Sequence, residues 1–357
     1  MNWSSLPEVV HLQRFLIKFR LKIEQLNKKY VLIFLVITFF LYTSLNLYHS
    51  YNEYFAKGET VLKFESDLVL DPFQARFENK RQNYKMMRAN SKDCQGKDLA
   101  IMIMSTATEN NARLREAMRK VMFKNQPRVV HKFFIGYEEE FPASMLIDEM
   151  NEYKDIVYYD GKGDYRNNYL KWYAMYQWHA KYCSNVKTFV KIDDDTTVHI
   201  PRLLEWIDRD FNFVTRQIDD YLICALYLGM APLRVKENRW YITPDEYPYR
   251  IWPNYCVGYF VLASNSTVQK LLKAAEKVHF FPMDDVLLTG AVSAVAKIPI
   301  LDFPGIRSEP NDRLCTNDGL HYSLMRHNSK FAHLIEEDYK FLDELKCPTK
   351  PFEEGHD

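Results

Sequence analysis

The stretch KTFVKIDDDTTVHI, Lys187 to Ile200, decides the reading of this chain. Its first half is apolar, with Phe189, Val190 and Ile192 interrupted by Lys191. That is the pattern of a strand buried on both faces. It runs straight into three consecutive carboxylates, Asp193, Asp194 and Asp195. Like charges in a row repel, and a folded chain keeps them when a cation neutralises them or when they point into water. Side chains alternate along an extended chain, so Asp193 and Asp195 share a side. Two such oxygens suit Mg²⁺ or Mn²⁺, hard ions that also take diphosphate oxygens and water. An ion there would stabilise a leaving nucleoside diphosphate.

Upstream, LAIMIMST (Leu99–Thr106), VVHKFFIG (Val129–Gly136) and DIVYYD (Asp155–Asp160) read as three earlier buried strands. The spacing between them predicts helices over Asn110–Lys124, Met145–Tyr153 and Leu170–Cys183. Strands alternating with helices predict an α/β fold with a mostly parallel central sheet. Ligands of such sheets sit outside the carboxyl ends of the strands. The aspartate triplet stands at one of those ends.

The chain has 357 residues, 47 of them basic and 47 acidic. Zero net charge argues against a general nucleic-acid binder, which needs a basic excess. With 47% apolar and 15% aromatic residues, most of the chain has the means to fold. The charges are unevenly placed. Residues 1–30 hold a basic cluster from Arg14 to Lys29 and read as a cytosolic tail. Val31–Tyr48 carries no charge, and as a helix of roughly 18 residues it would reach about 27 Å. The basic flank places the N-terminus in the cytosol and the remainder across the membrane, as a signal anchor. Residues 49–95 read as a stem, 96–345 as the lumenal catalytic domain and 346–357 as a C-terminal tail. All six cysteines (Cys94, Cys183, Cys224, Cys256, Cys315 and Cys347) lie beyond the span, an arrangement that fits up to three disulfides with the pairing open. Asn265-Ser266-Thr267 is a glycosylation sequon on the lumenal side of this topology, and Asn2-Trp3-Ser4 one on the cytosolic side.

A second acidic cluster lies in FPMDDVLLTG, Phe281 to Gly290. Asp284 and Asp285 precede an apolar helical run, where a helix start stabilises carboxylates. The chemical alternative is a general base that takes the proton from an attacking hydroxyl. Trp172, Tyr173, Tyr176 and Trp178 read as the core side of one helix. Trp240, Tyr241, Tyr247, Tyr249 and Trp252 surround prolines in a loop, where rings can stack on the apolar faces of sugars.

Taken in order, these pieces resemble glycosyltransferase family 31, the β-1,3-galactosyltransferase, β-1,3-N-acetylglucosaminyltransferase and Fringe-like enzymes, over about residues 98 to 335. Arg115-Glu116-Ala117-Met118-Arg119 is similar to the family's R-x-A-I-R helix. Tyr165-Arg166-Asn167 with Leu170-Lys171 resembles its Y-x-N-L-T-x-K segment. Trp178, Cys183 and Lys191–Asp195 follow its W…C…K-x-D-D-D order. Trp252–Cys256 resembles its Y-P-x-Y-C box, and Met283–Val286 with Gly290 its E-D-V-x-x-G box. The chain departs from the family at Val257-Gly258-Tyr259-Phe260, where glycines are usual, and at Val121-Met122, where Thr-Trp is usual.

The resemblance implies a GT-A-type nucleotide-sugar-binding fold and a Golgi-membrane protein of single-pass type II topology. It also implies inverting transfer from a UDP-sugar to a glycoprotein or glycolipid glycan in β-1,3 linkage, with Mn²⁺. It assigns Asp285 as base, and Asp193, Asp195 and a late histidine as metal ligands. That histidine is His327, with His321 as the alternative. Arg115, Arg119, Lys171 and Asp194 fall near the nucleotide. A homodimer is an open alternative. Two rival readings are a catalytically silent chaperone or lectin of the same fold, and a haloacid-dehalogenase-like phosphatase, whose opening motif Asp193-x-Asp195-x-Thr197-Val198 also resembles.

Overall fold

A computed structural model describes residues 36–49, 70–87, 91–140, 143–307 and 314–347. The chain divides into two units, Met1–Lys63 and Phe64–Asp357. In the first, residues 36–49 are helical. No helix among the described residues is long and apolar enough to cross a membrane. The basic tail, residues 31–35 of the apolar run, the Asn2 sequon and residues 348–357 lie outside the described residues.

The second unit is built on one nine-stranded sheet. Its strands are β1 (Leu70–Arg76), β2 (Arg81–Met87), β3 (Leu99–Ser105), β4 (Val129–Tyr137), β5 (Ile156–Lys162), β6 (Thr188–Asp193), β8 (Leu222–Tyr227), β9 (Tyr255–Ser264) and β10 (Ile300–Asp302). A short separate sheet pairs β7 (Thr196–Val198) with β11 (Met325–His327). The main sheet runs β1-β2-β5-β4-β3-β6-β9-β8-β10. Only β2 and β9 run against the rest, so it is mixed but mostly parallel. The α-helices of five residues or more among the described residues of this unit are α1 (Glu109–Val121), α2 (Ile147–Tyr153), α3 (Asn168–Tyr182), α4 (Ile200–Asp208), α5 (Asn265–Ala275), α6 (Val292–Ala296) and α7 (Ala332–Glu344).

Strand β3 shows why the sheet is central. All seven of its residues are buried. Leu99, Ile101 and Ile103 join one core with Leu114 and Met118 of α1, while Ala100, Met102 and Met104 join the other with Trp172 and Trp178 of α3. A strand covered on both faces has no polar side to spare, hence the unbroken apolar run. Helix α3 is buried around almost its whole circumference, because the hairpin β1–β2 covers its outer side. Phe77 packs against Tyr169 and Tyr173, and Phe73 against Tyr182. That hairpin revises the expected stem: within residues 49–95, 70–87 belong to the folded unit. Strand β2 turns only Tyr84 and Met86 fully inward and leaves Arg81, Asn83 and Lys85 exposed, so its composition reads as linker.

The chain builds outward from β3 to β4 and β5, then returns to place β6 on the other side of β3. Such a reversal opens a crevice at the carboxyl ends of the two strands. Three disulfides hold the surroundings: Cys94–Cys183, Cys224–Cys256 and Cys315–Cys347. The second joins neighbouring strands β8 and β9.

Gly305 is a packing point for the segment leading to β11. A Cβ there would stand 1.9 Å from the Tyr322 carbonyl oxygen, and the Gly305 carbonyl accepts from the Leu324 N–H at 2.9 Å. Gly305→Ala is expected to lower stability by about 2–3 kcal/mol or more, the scale of overpacking. Gly229→Ala, with positive φ but nothing within 4 Å, is expected to cost about 1 kcal/mol. Chemical denaturation of the two variants checks this; equal losses would contradict it.

Candidate active site

A cleft of about 680 Å³ opens at the carboxyl ends of β3 and β6. Both acidic clusters face it, together with Lys171, Lys191, His327 and Lys330. The three neighbouring aspartates take three different partners. Asp193 Oδ1 accepts from Lys191 Nζ at 2.5 Å, and the same ammonium donates to the Gly258 carbonyl at 2.6 Å. It also sits 4.5 Å above the Trp172 ring, so this buried lysine is held on three sides. Asp194 turns the other way. Its Oδ2 accepts from Ser105 Oγ at 2.6 Å and from Asn111 Nδ2 at 2.7 Å. Burial pushes its carboxyl up to about 6 even against those two donors. Asp195 lies 3.3 Å from His327 Nδ1. Burial opposes its charge, but the His327 hydrogen bond and the nearby Lys191 outweigh it and hold the carboxyl below the usual range.

His327 reaches the triplet through the small sheet, where it pairs with Thr196. Its Nδ1 lies 3.1 Å from Thr196 Oγ1, and its ring stacks on Tyr259 with centroids 4.6 Å apart. His321 is elsewhere: its Nδ1 accepts from the Ser323 N–H, and it lines a second cavity beside Arg202 and His199. Of the two late histidines, the structure thus brings His327 to the triplet. Among the described residues no three His, Cys, Asp or Glu side chains form a ready metal cluster. The chain offers a carboxylate and an imidazole side by side, with Asp193 tied to Lys191. That donor set fits a hard cation whose remaining positions are filled by diphosphate oxygens and water.

Beside Gly258 and Lys191, Asp284 and Asp285 precede a π-helical turn, Val286–Ala291. Asp285 Oδ1 accepts from the Val286 N–H at 2.7 Å. Burial, then the neighbouring Asp284, push its carboxyl up to about 7. Asp284 is raised as well by burial, with Lys191 opposing. The turn is pinned by Thr289, whose Oγ1 donates to the Asp285 carbonyl at 2.6 Å and accepts from the Cys256 N–H at 2.9 Å. A carboxyl near neutrality at the edge of a cleft is chemically placed to take up a proton.

Lys171 lines the cleft, with Nζ donating to the Ser105 carbonyl at 2.6 Å. Arg115 and Arg119 do not line it. Arg115 is fully buried and pairs with Glu149 at 2.6 Å, while also donating to Ser105 Oγ at 2.9 Å. Arg119 pairs with Asp155 and Glu149, both at 2.7 Å. Asn265 opens α5 with its Nδ2 donating to the Ser184 carbonyl at 2.7 Å, and the sequon's Thr267 is buried. A glycan on that nitrogen would displace the Ser184 contact. Sequence reading missed Ser105 and Asn111, which hold Asp194, and Tyr259, which holds His327. It also missed Lys330 in the cleft wall; a lysine three residues beyond the histidine was its one available signal.

A profile of the Galactosyltransferase family matches residues 113–304. The lactosylceramide 1,3-N-acetyl-β-D-glucosaminyltransferase of Xenopus tropicalis is 23% identical over 230 residues, 61% of this chain and 60% of that protein. The β-1,3-galactosyltransferase bre-5 of Caenorhabditis elegans is 28% identical over 210 residues, 57% of this chain and 63% of the relative. An acetylgalactosaminyl-O-glycosyl-glycoprotein β-1,3-N-acetylglucosaminyltransferase of Mus musculus is 29% identical over 147 residues, 41% and 36% of the two chains. The chain therefore spans about three fifths of the length of the first two. A solved galactosyltransferase, LgtC with donor and acceptor sugar analogues, aligns over 57% of this chain and 72% of its own, at 11% identity and a TM-score of 0.29.

The raised carboxyl of Asp285 has a measurable consequence. An acid whose folded-state pKa exceeds its unfolded value, about 4, binds its proton more tightly when folded. Its contribution to stability is whole below about pH 4 and is lost as pH rises through about 7. Asp285→Asn carries no charge at either end. Its thermal midpoint without ligands is expected above that of wild type at pH 8 and equal to it near pH 4. A midpoint below wild type at pH 8 would contradict the raised carboxyl.

Proposed function

The chain belongs to the galactosyltransferase family, and we propose that it is an inverting hexosyltransferase. In this reading it moves a hexose or N-acetylhexosamine from a UDP-sugar to a glycan hydroxyl in β-1,3 linkage, as a type II protein of the Golgi membrane. The activities of the relatives, 1,3-linked transfer of N-acetylglucosamine or galactose, support the linkage and the sugar class. The mixed sheet, with its acidic triplet at the reversal of strand order, supports a GT-A-type nucleotide site.

One observation carries the proposal: a single cleft holds an Asp195–His327 donor pair and, apart from it, a carboxyl poised near neutrality on Asp285. Asp195 and His327 would hold Mn²⁺, which when bound neutralises the diphosphate. Lys330, in the same wall, would add a positive charge. Asp285 takes the proton of the acceptor hydroxyl. The hydroxyl oxygen attacks the anomeric carbon from the face opposite the diphosphate and forms the new glycosidic bond. The bond from that carbon to the phosphate oxygen breaks, and UDP leaves with the electron pair. Lys171 and Asp194 support the nucleotide end by fixing the carboxyl end of β3 at Ser105. Arg115 donates to the same serine and shares Glu149 with Arg119, so the pair acts on the nucleotide through the scaffold.

The silent chaperone or lectin reading keeps the fold but has no use for a carboxyl held near neutrality. The phosphatase reading would place the reactive aspartate at Asp193, which here is tied to Lys191.

The test is release of UDP and transfer from a panel of UDP-sugars with Mn²⁺. Asp285→Asn is expected to lose about 10²–10⁴-fold in kcat, the range of general-base contributions. Asp195→Ala should lose activity in a way that added Mn²⁺ restores only in part. Wild-type kcat/KM should rise about tenfold per pH unit and level off above about pH 7. Undiminished turnover in both variants would sink the mechanism.

A further inference from the structure

The loop that joins β8 to β9 presents an unusual surface. It is firmly built. The Cys224–Cys256 disulfide closes its base. Arg234 donates to the carbonyls of Ile242, Tyr247 and Tyr249 at 2.8, 2.6 and 3.2 Å. The Trp252 N–H donates to the Met230 carbonyl at 2.8 Å, so the arms 228–235 and 249–252 lie side by side. Tyr247 and Trp252 turn inward, 4.1 Å apart, and both pack on Phe281.

With its own core thus satisfied, the loop still leaves large apolar side chains in water. Leu228, Val235, Tyr249 and Ile251 are 61%, 57%, 67% and 58% exposed. Met230, Leu233 and Trp240 of the same loop line the cleft itself. Single exposed apolar residues are ordinary, but a concentration of them at the mouth of a cleft marks a binding surface. Its position says what binds. The loop stands beside the Asp285 wall, since Gly290 of the π-helical turn fits against Pro253 and Tyr255. The acceptor hydroxyl must come to Asp285, whereas the diphosphate belongs with Asp195 and His327.

We propose that the acceptor is a glycolipid, and that the outer face of the 228–251 loop holds the alkyl or acyl chain beside its sugar. This rests on reading the cleft as a sugar-transfer site. The sugar enters the cleft past Trp240, and the chain lies along Leu228, Val235, Tyr249 and Ile251 outside it. Burying methylenes there tightens binding without changing the chemical step.

The test compares methyl and octyl β-D-galactosides, and methyl and octyl N-acetyl-β-D-glucosaminides, on the full chain in lipid nanodiscs. Binding is followed by tryptophan fluorescence and transfer by UDP release. An octyl glycoside is expected to bind about tenfold or more tightly than its methyl counterpart, with unchanged kcat. The quadruple variant Leu228→Ser, Val235→Ser, Tyr249→Ser, Ile251→Ser should reduce that gain to less than about twofold and leave methyl glycoside binding alone. Equal affinities in wild type, or a gain that survives in the variant, would overturn the proposal. So would self-association that the variant abolishes without any chain-length gain, which would assign the loop to a second copy. A chain-length gain without transfer from any UDP-sugar would keep the apolar subsite and remove the transferase reading. Transfer without the gain would do the reverse.

Discussion

Three adjacent carboxylates cannot share one water-poor cleft without separate partners, and the architecture around β6 follows from that constraint. Strand alternation sends Asp194 away from Asp193 and Asp195. Inward, Asp194 finds the hydroxyl that ends β3 and the amide that begins α1, through Ser105 and Asn111. Arg115 backs the same serine. Outward, Asp193 takes Lys191, which also reaches across to the Gly258 carbonyl of β9. Asp195 takes His327 from β11. Each charge is thus also a tether, and between them they bind β6 to β3, α1, β9 and β11. Electrostatics and topology are one problem at this site, because the low dielectric that would magnify repulsion also strengthens each hydrogen bond.

Asp285, the proposed base, is held by a different logic. Thr289 links the backbone of Asp285 to Cys256, and Cys256 is covalently joined to Cys224 on β8. A π-helical turn widens the backbone at this point, a form that often accompanies function. The carboxyl therefore stands on a frame of two strands and a disulfide rather than on a mobile loop. Groups placed so firmly need little reorganisation when the reaction occurs.

The buried strands and long helices were legible in the sequence because both faces of β3, β4 and β6 are covered, so their letters are mostly apolar, broken by His131 and Lys132 in β4 and by Lys191 in β6. Their observed ends differ from the expected ones by only a few residues. The hairpin β1–β2 was not legible. Its strands lie at and next to a sheet edge, and the hairpin hides four apolar side chains (Ala75, Tyr84 and Met86 in the strands and Phe77 between them) among charges. The two acidic clusters, Asp193–Asp195 and Asp284–Asp285, were visible in the sequence as clusters and face one cleft, whereas His327 was singled out only through the family resemblance. The supporting contacts were not legible. Nothing local in Ser105 or Asn111 announces that a carboxylate some eighty residues later will turn toward them. Nor does any spacing rule say that Arg115 and Arg119 close on Glu149 and Asp155 rather than on the cleft.

His327 reaches its place from near the C-terminal end, carried by a strand that pairs only with β7. The segment is fastened by Cys315–Cys347 and by the packing of Tyr322 against Gly305. During synthesis, then, the sheet and the aspartates can be complete while the imidazole is still to come. A chain arrested before this last fastening would carry its acidic triplet with one partner missing. In the transferase reading, the site would thus be completed by the last segment to join the fold rather than by the collapse of the core.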